Sequence, residues 1–465
     1  MVSAVSPRAP SRIPLPPRLP LVGNLLQIPR GRLTQHLMGV APRFEGIFEI
    51  DFAGRRVPFV TSAALVAELC DEKRFRKLVG PPLSMLRAVA GDGLFTADGD
   101  DPNWGKAHRI LVPAFSQRAR RAYADAMVEV AGGLVAKWRA SAGRDVDVDV
   151  GEDMTRLTLE TIALCGFGYR FDAFADGPLH PFLQALVRVL DETMGRLTRL
   201  AAISRLRVRA NRRFDADVAM MHALVDDVIR ARRERPAPAR DLLGLMLDAV
   251  DPVTGERLDD ANIRYQVMTF LIAGHETTSG LLAFALHLLM AHPGVLARAV
   301  DEVDRVLPCA RAPEYDDLER LELVDRVIKE TLRLWPTAPA FSVAPYEDTV
   351  IGGRWALARD RRVTVLLPAL HRDPAVWADP EAFDVDRFLP EREARIPPHA
   401  YRPFGNGQRS CIGRQFAVME AKIALAMLLQ AFEFDDPHGY RLAVRETLSL
   451  KPDGFRIRVR PRGPA

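Results

Sequence analysis

Arg402-Pro403-Phe404-Gly405-Asn406-Gly407-Gln408-Arg409-Ser410-Cys411-Ile412-Gly413-Arg414, followed by the apolar-periodic run Gln415 to Phe432, governs how the rest of the chain is read. Its glycines and polar residues specify a loop, and the helical period that follows specifies a helix, so the loop delivers Cys411 to a helix start. A cysteine there meets the partial positive charge of the helix N-terminus, which lowers its pKa and favours the thiolate, the form that binds metals. Gly405, Gly407 and Gly413 let backbone approach a bulky flat group and turn N–H groups toward the sulfur, while Arg409 offers a fixed cation for carboxylates. The alternative, a buried and inert core cysteine, requires none of these neighbours.

Toward the N-terminus, the longest helical pattern, about Asp259 to Ala291, is interrupted by Phe270-Leu271-Ile272-Ala273-Gly274-His275-Glu276-Thr277-Thr278-Ser279-Gly280. Gly274 and Gly280 each cost about 1 kcal/mol of helix stability relative to Ala. Two readings account for that cost. One is a groove where a ligand lies against the helix, with Glu276 and Thr277 as an acid and alcohol that relay protons; the other is a helix kinked by Gly and Thr against a neighbour. Glu330-Thr331-Leu332-Arg333 places opposite charges at i and i+3 on one face. Its apolar flanks point to a partly buried pair in need of a further partner, for which Arg387 is the candidate. Trp104 and His108 lie four apart on another helical pattern, and alone they read more readily as core or cap residues than as ligands.

Phe48 to Phe52 and Arg56 to Val60, around Ala53-Gly54, read as a strand pair. Helical periodicity then occupies Trp104 to Ser116, Arg118 to Ala140, Asp153 to Cys165, Pro181 to Arg199, Arg207 to Arg233 and Asp241 to Asp248, with Pro236 and Pro238 marking a linker. The expected fold is therefore mainly α with a small β-rich part. Residues 1–18, rich in Pro and Arg, read as a flexible extension, and residues 19–465 as one domain. Hydrophobic residues at 48% and charged residues at 27% fit a soluble globular protein. A balance of 64 basic against 60 acidic residues is too even to imply nucleic acid. Cys70, Cys165, Cys309 and Cys411 form no C-x-x-C pair, which points to a reducing compartment. With no signal-like N-terminus and no apolar run near about 18 residues, neither a membrane anchor nor export is expected, and a cytoplasmic location is.

In combination these motifs resemble the cytochrome P450 monooxygenases. Phe404 to Gly413 matches their cysteine-ligand signature, Ala273 to Thr277 their oxygen-activation motif, Glu330 to Arg333 their E-x-x-R, and Arg387 the arginine that completes that charge triad. The resemblance runs from about Leu19 to Arg460. It is most similar to the haem domain of bacterial self-sufficient fatty-acid hydroxylases, through strings such as Gly91-Asp92-Gly93-Leu94-Phe95-Thr96 and Leu332-Arg333-Leu334-Trp335-Pro336-Thr337-Ala338-Pro339-Ala340-Phe341. This resemblance implies the cytochrome P450 fold and haem b, with Cys411 as axial thiolate, Phe404 beside the sulfur, and Trp104, His108 and Arg409 on the propionates. It implies proton handling by Glu276 and Thr277 beside Ala273. The apolar pocket would include Phe95, Val89, Ala90, Ile272, Ala338 and Leu448. Arg55 and Phe59 occupy the positions that hold the substrate carboxylate in the hydroxylases, and since Phe59 lacks a phenol, anchoring should be weaker. Arg55 and Arg56 also read as plain exposed turn residues.

The expected activity is hydroxylation of a medium- or long-chain fatty acid or similar lipophilic small molecule with O2. The chain stops at Ala465 without a flavin domain, so electrons are expected from NAD(P)H through a ferredoxin or flavodoxin and a separate reductase. Lys106, Arg402 and Arg414 are candidate docking cations or ordinary surface charges. The arginines of residues 196–213 read as a solvated basic loop over the substrate entrance. Other readings are a biosynthetic hydroxylase or epoxidase of a polyketide, terpene or peptide, a peroxide-driven enzyme, and a non-catalytic haem-binding sensor. The complete proton-relay motif argues against the last two.

Overall fold

The computed structural model describes residues 11–175, 177, 180–197, 199, 201–235 and 241–463, without the side chains of residues 201–203. The expected linker around Pro236 and Pro238 and the first ten residues lie outside the described part. Two compact units form, each drawn from three stretches of chain: residues up to Gly80 with Ala338–Ala382 and Pro390–Cys411, and Pro81–Thr337 with Phe383–Leu389 and residues from Ile412 onward.

The first unit is built on a five-stranded sheet. β1 (Ile47–Phe52) and β2 (Arg55–Val60) form the predicted hairpin, with Phe48 opposite Phe59 and Ala53 and Gly54 both at positive φ in the turn. The sheet order is β1, β2, β5 (Val363–Leu366), β4 (Ala340–Pro345), β3 (Phe75–Lys77), with β2 and β5 parallel and the other neighbours antiparallel. Alternation sends Phe48 and Ile50 of β1, Val57 and Phe59 of β2 and Leu366 of β5 to one face, where they bury against Leu37 and Val40 of the helix Leu33–Val40. Part of the Pro/Arg-rich extension is fixed along this sheet: Ile13 is buried, Glu49 N–H donates to the Pro14 carbonyl at 2.8 Å, and Arg18 pairs with Asp51. Ordered chain thus begins before Leu19.

The second unit is helical, as periodicity predicts. It contains α1 (Pro102–Leu111), α2 (Gln117–Ser141), α3 (Val150–Phe167), α4 (Pro181–Leu197), α5 (Val208–Glu234), α6 (Asp260–Ala291), α7 (Glu322–Leu334) and α8 (Arg414–Ala431). Side chains set several of the starts. Asp101, Ser116, Asp149 and Asp259 each accept a backbone N–H from the first turn of α1, α2, α3 and α6. α6 is apolar around most of its circumference and is correspondingly buried, packing against α3, α7 and α8. No single helix among the described residues is long and apolar enough to cross a membrane.

The glycines of α6 serve close packing. A Cβ on Gly274 would stand 2.9 Å from Ile162 Cγ1 of α3, and one on Gly280 would stand 2.5 Å from the Leu450 carbonyl oxygen. Leu450 opens β7 (Leu450–Pro452), which pairs with β6 (Val444–Glu446) in a hairpin, and its N–H donates to the Thr337 carbonyl at 2.9 Å. Of the two readings of the glycine cost, approach of neighbouring elements is the one these contacts explain.

Candidate functional site

In the first unit, the cysteine loop is closed by its own backbone. Cys411 N–H donates to the Phe404 carbonyl at 2.8 Å, Gly405 N–H to Arg402 and Ser410 N–H to Gly407. Gly405 and Gly407 sit at φ 80° and 62°, a region costly for other residues. Gly407 has a second reason to be glycine, because a Cβ there would meet the Glu72 carboxylate at 2.1 Å. Glu72 accepts from Gln408 N–H at 2.9 Å, and Asn406 Nδ2 donates to the Cys70 carbonyl, so the loop is pinned to the segment after the Ala63–Leu69 helix. Gly413, at φ −86°, caps α8 without requiring left-handed backbone.

Cys411 is exposed at the tip of this loop. Lys77 of β3 feels both the Arg409 cation and the Cys411 sulfur. Burial lowers its pKa most, Arg409 lowers it further and Cys411 opposes, leaving it at about 8. One thiol flanked by two cations is a donor set for a group that takes a sulfur ligand and carries carboxylates. Sequence reasoning missed Lys77, which no local motif marks; only its strand pairing, opposite Val343, brings it to the loop.

The second unit carries the polar segment of α6. Thr277 Oγ1 donates to the Ala273 carbonyl at 3.0 Å. Glu276 turns elsewhere: it is buried and accepts from Ser449 Oγ at 2.6 Å, Thr447 Oγ1 at 3.1 Å and Lys451 Nζ at 3.0 Å. Burial alone would raise its pKa, but the Lys451 ammonium first, with the adjoining His275 and the Ser449 hydroxyl, outweighs that and holds it well below the usual carboxylate range. Among the described residues no hydrogen bond joins Glu276 to Thr277, so the expected acid–alcohol pair is two separately held groups. Beside them His275 is fully buried, Nδ1 donating to the Leu271 carbonyl at 2.6 Å, and burial lowers its pKa to about 4, which keeps it neutral. Thr447, Ser449 and Lys451 were not among the expected site residues. Their period-two spacing, with Leu448 and Leu450 between, is the signal that places them on one side of a hairpin.

Glu330, Arg333 and Arg387 do come together. Arg333 donates to both Glu330 oxygens, at 2.7 and 2.8 Å, with both side chains fully buried. Asp384 N–H donates to Glu330 at 2.9 Å, and Arg387 Nε lies 3.4 Å from Glu330 Oε1. Trp104 and His108 stack on α1 with centroids 5.0 Å apart. Ala90 and Ile272 are fully buried, Phe95 and Leu448 half-buried, and the short helix Arg87–Ala90 packs on α6. In the first unit Ala338 and Arg55 are exposed, but Phe59 is a core residue stacked on Phe48 at 5.8 Å. At 5% exposure the Phe59 ring is packed into the core on that face of the sheet.

The basic loop is less open than its composition implies. Arg196, Arg199 and Arg207 all pair with Glu192, at 3.2, 2.8 and 2.9 Å. Of the candidate docking cations, Lys106 is held by Glu256 at 2.6 Å and Arg402 meets His399 Nδ1 at 2.9 Å.

Residues 13–459 match the cytochrome P450 family. The chain is 48% identical over 454 residues to a bifunctional cytochrome P450/NADPH–P450 reductase of Bacillus subtilis, covering 97% of this chain and 43% of that protein. It is 45% identical over 452 residues to a self-sufficient cytochrome P450 monooxygenase of Aspergillus niger, with 96% and 43% covered. The chain therefore spans less than half the length of these relatives. The crystal structure of the cytochrome P450DA heme domain superposes with a TM-score of 0.94 at 51% identity, covering 98% of this chain and 99% of that one. With the cysteine loop, the buried Glu330–Arg333–Arg387 cluster and the match along nearly its whole length, the chain belongs to the cytochrome P450 family.

Proposed function

We propose that this chain is a haem-thiolate monooxygenase that hydroxylates a medium- or long-chain fatty acid or a similar lipophilic molecule. Haem b is the cofactor of the family. Cys411 is assigned as its axial thiolate, with Phe404, Gly405 and Gly413 shaping the loop around the sulfur. Arg409, Trp104 and His108 are assigned to its carboxylates, with Lys77 beside Arg409. Bound there, the haem supplies activation of dioxygen, one atom going into a substrate C–H bond and the other leaving as water.

The chain's own residues then handle protons and substrate. Glu276 rests as a carboxylate held by Lys451, so it acts first as an acceptor and becomes a donor only after taking a proton. Thr277 gives up its bond to the Ala273 carbonyl when its hydroxyl passes a proton onward. Apolar Phe95, Ala90, Ile272, Ala338 and Leu448 select a hydrocarbon body. The observation that carries the substrate class is Arg55: exposed, and without an ion pair or side-chain hydrogen bond among the described residues, it heads a strand whose residues Val57 and Phe59 belong to the packed core. An exposed cation without a counter-ion among the described residues suits an amphiphile with one anionic end. Electrons are assigned to NAD(P)H, delivered by a reductase through a ferredoxin or flavodoxin.

The test is a reduced carbon monoxide difference spectrum followed, on the same sample, by titration with saturated fatty acids of graded length. A thiolate-type spectrum and a high-spin shift that strengthens with chain length are expected. No shift with any length would sink the lipid reading.

A further inference from the structure

We propose that Arg362 is a second specificity-determining cation, acting with Arg55 to take the carboxylate of an amphiphilic substrate. The inference rests on the fatty-acid reading above. In the parallel pairing of β2 and β5, Phe59 stands opposite Thr364 and Val60 opposite Val365. Two-residue alternation therefore puts Arg55, Val57 and Phe59 on the same face as Arg362, Thr364 and Leu366. That is the face on which Val57, Phe59 and Leu366 bury. The two arginines thus share one face of the sheet, on neighbouring strands just beyond its packed apolar part.

Arg362 is placed rather than trailing in solvent. A Cβ on Gly80 would come within 2.4 Å of its Nη1 and 3.1 Å of its Cδ, so the glycine leaves room for the arginine side chain. Burial lowers its pKa first, and the charge of Arg55 lowers it further, to about 10, which leaves it cationic at neutral pH while showing that the two guanidinium groups feel one another. Nearby carboxylates are already engaged: Glu49 by Arg361, Asp51 by Arg18 and Asp360 by Arg76. Arg56 also offsets Glu49 and Asp51, whereas Arg55 has no ion pair among the described residues. A carboxylate arriving between Arg55 and Arg362 gains charge-assisted hydrogen bonds and relieves the repulsion between them. Arg362 also supplies the second anchoring donor that Phe59, buried and without a hydroxyl, does not provide.

Binding of myristate and of myristyl alcohol is compared on the holoenzyme, by calorimetry and by spin shift, for the parent, Arg362→Ala, Arg362→Lys and Arg55→Ala, at low and high salt. Arg362→Ala is expected to weaken myristate about tenfold, the ratio from losing roughly 1.4 kcal/mol of charge-assisted bonding, and to leave the alcohol unchanged. Arg362→Lys should retain part of the preference, and salt should weaken acid binding in the parent more than in Arg362→Ala. Equal changes for acid and alcohol, or none, overturn the role of Arg362 while the lipid reading stands. Failure of the parent to bind either lipid overturns that reading and this inference with it. Should Arg362→Ala not fold, an acid affinity of Arg362→Lys and of the parent that is independent of salt serves as the overturning result.

Discussion

At Glu276 the carboxylate meets Lys451 Nζ at 3.0 Å and two hydroxyls, with 7% of its side chain and 14% of the lysine's exposed. A pair this sheltered behaves differently from a surface bridge. Removing one partner strands the other charge in a poorly solvated place, whereas removing both is far milder. Lys451→Met should therefore destabilise the holoenzyme by about 3–5 kcal/mol at neutral pH, and Glu276→Gln/Lys451→Met should recover most of that loss. Denaturant unfolding of the two single variants and the double variant measures the coupling. A coupling near zero would mean that Glu276 does not depend on the lysine for its charge, and its assignment as a resting acceptor would fall. The same geometry shows what local sequence left out: the motif around Glu276 marks it as a candidate acid, but its counter-ion lies 175 residues away.

Among elements, α6 and the β6–β7 hairpin show how a right observation invites two explanations. Gly274 and Gly280 stand out in any reading of an apolar helix, and a ligand groove is as good a reason for them as packing until the neighbours are known. The neighbours are Ile162 and the Leu450 carbonyl. Gly280→Ala gains about 1 kcal/mol of helix propensity, but its methyl group would stand 2.5 Å from backbone oxygen, 3.1 Å from Thr337 Cγ2 and 3.2 Å from Lys451 Cγ. Backbone cannot yield as a flexible side chain can, so an overpacking cost of about 1–3 kcal/mol outweighs the gain. Gly294, near the start of the helix Pro293–Val306, has nothing within 4 Å of its Cβ position, and Gly294→Ala should be neutral or stabilising by up to about 1 kcal/mol. Thermal midpoints of the two variants separate the cases, and a Gly280→Ala protein as stable as the parent would refute the packing account. Helix and strand positions themselves were legible because period and capping are local. Contacts such as Gly407 with Glu72, or Lys77 with the cysteine loop, were not, because they depend on which distant segment folds alongside.

For the molecule as a whole, three buried groups set opposing responses of stability to pH. His275, with its pKa lowered to about 4, is neutral in the fold but protonates in the unfolded chain near 6.5, so stability falls as pH drops from 6.5 toward 4. Glu276, with its pKa lowered, adds a further loss as pH falls below 4.5. Glu420 of α8 works the other way. Neither of its oxygens has a well-formed hydrogen bond among the described residues, the Thr161 hydroxyl donates instead to the Leu157 carbonyl at 2.9 Å, and burial raises its pKa well above 4.5, the nearby Thr161 hydroxyl offsetting only part of that. The folded protein therefore keeps a proton that the unfolded chain releases above about pH 4.5, and each unit of further rise costs about 1.36 kcal/mol until the folded group also ionises. Glu420→Gln has the same shape as the neutral acid and nothing to titrate. Its holoenzyme should match the parent near pH 4.5 and exceed it by a margin that grows as pH rises toward 8, read from unfolding midpoints across that range. A variant that instead loses stability as pH rises would mean that Glu420 is ionised and partnered in the fold, and the alkaline limb of the stability curve would need another source.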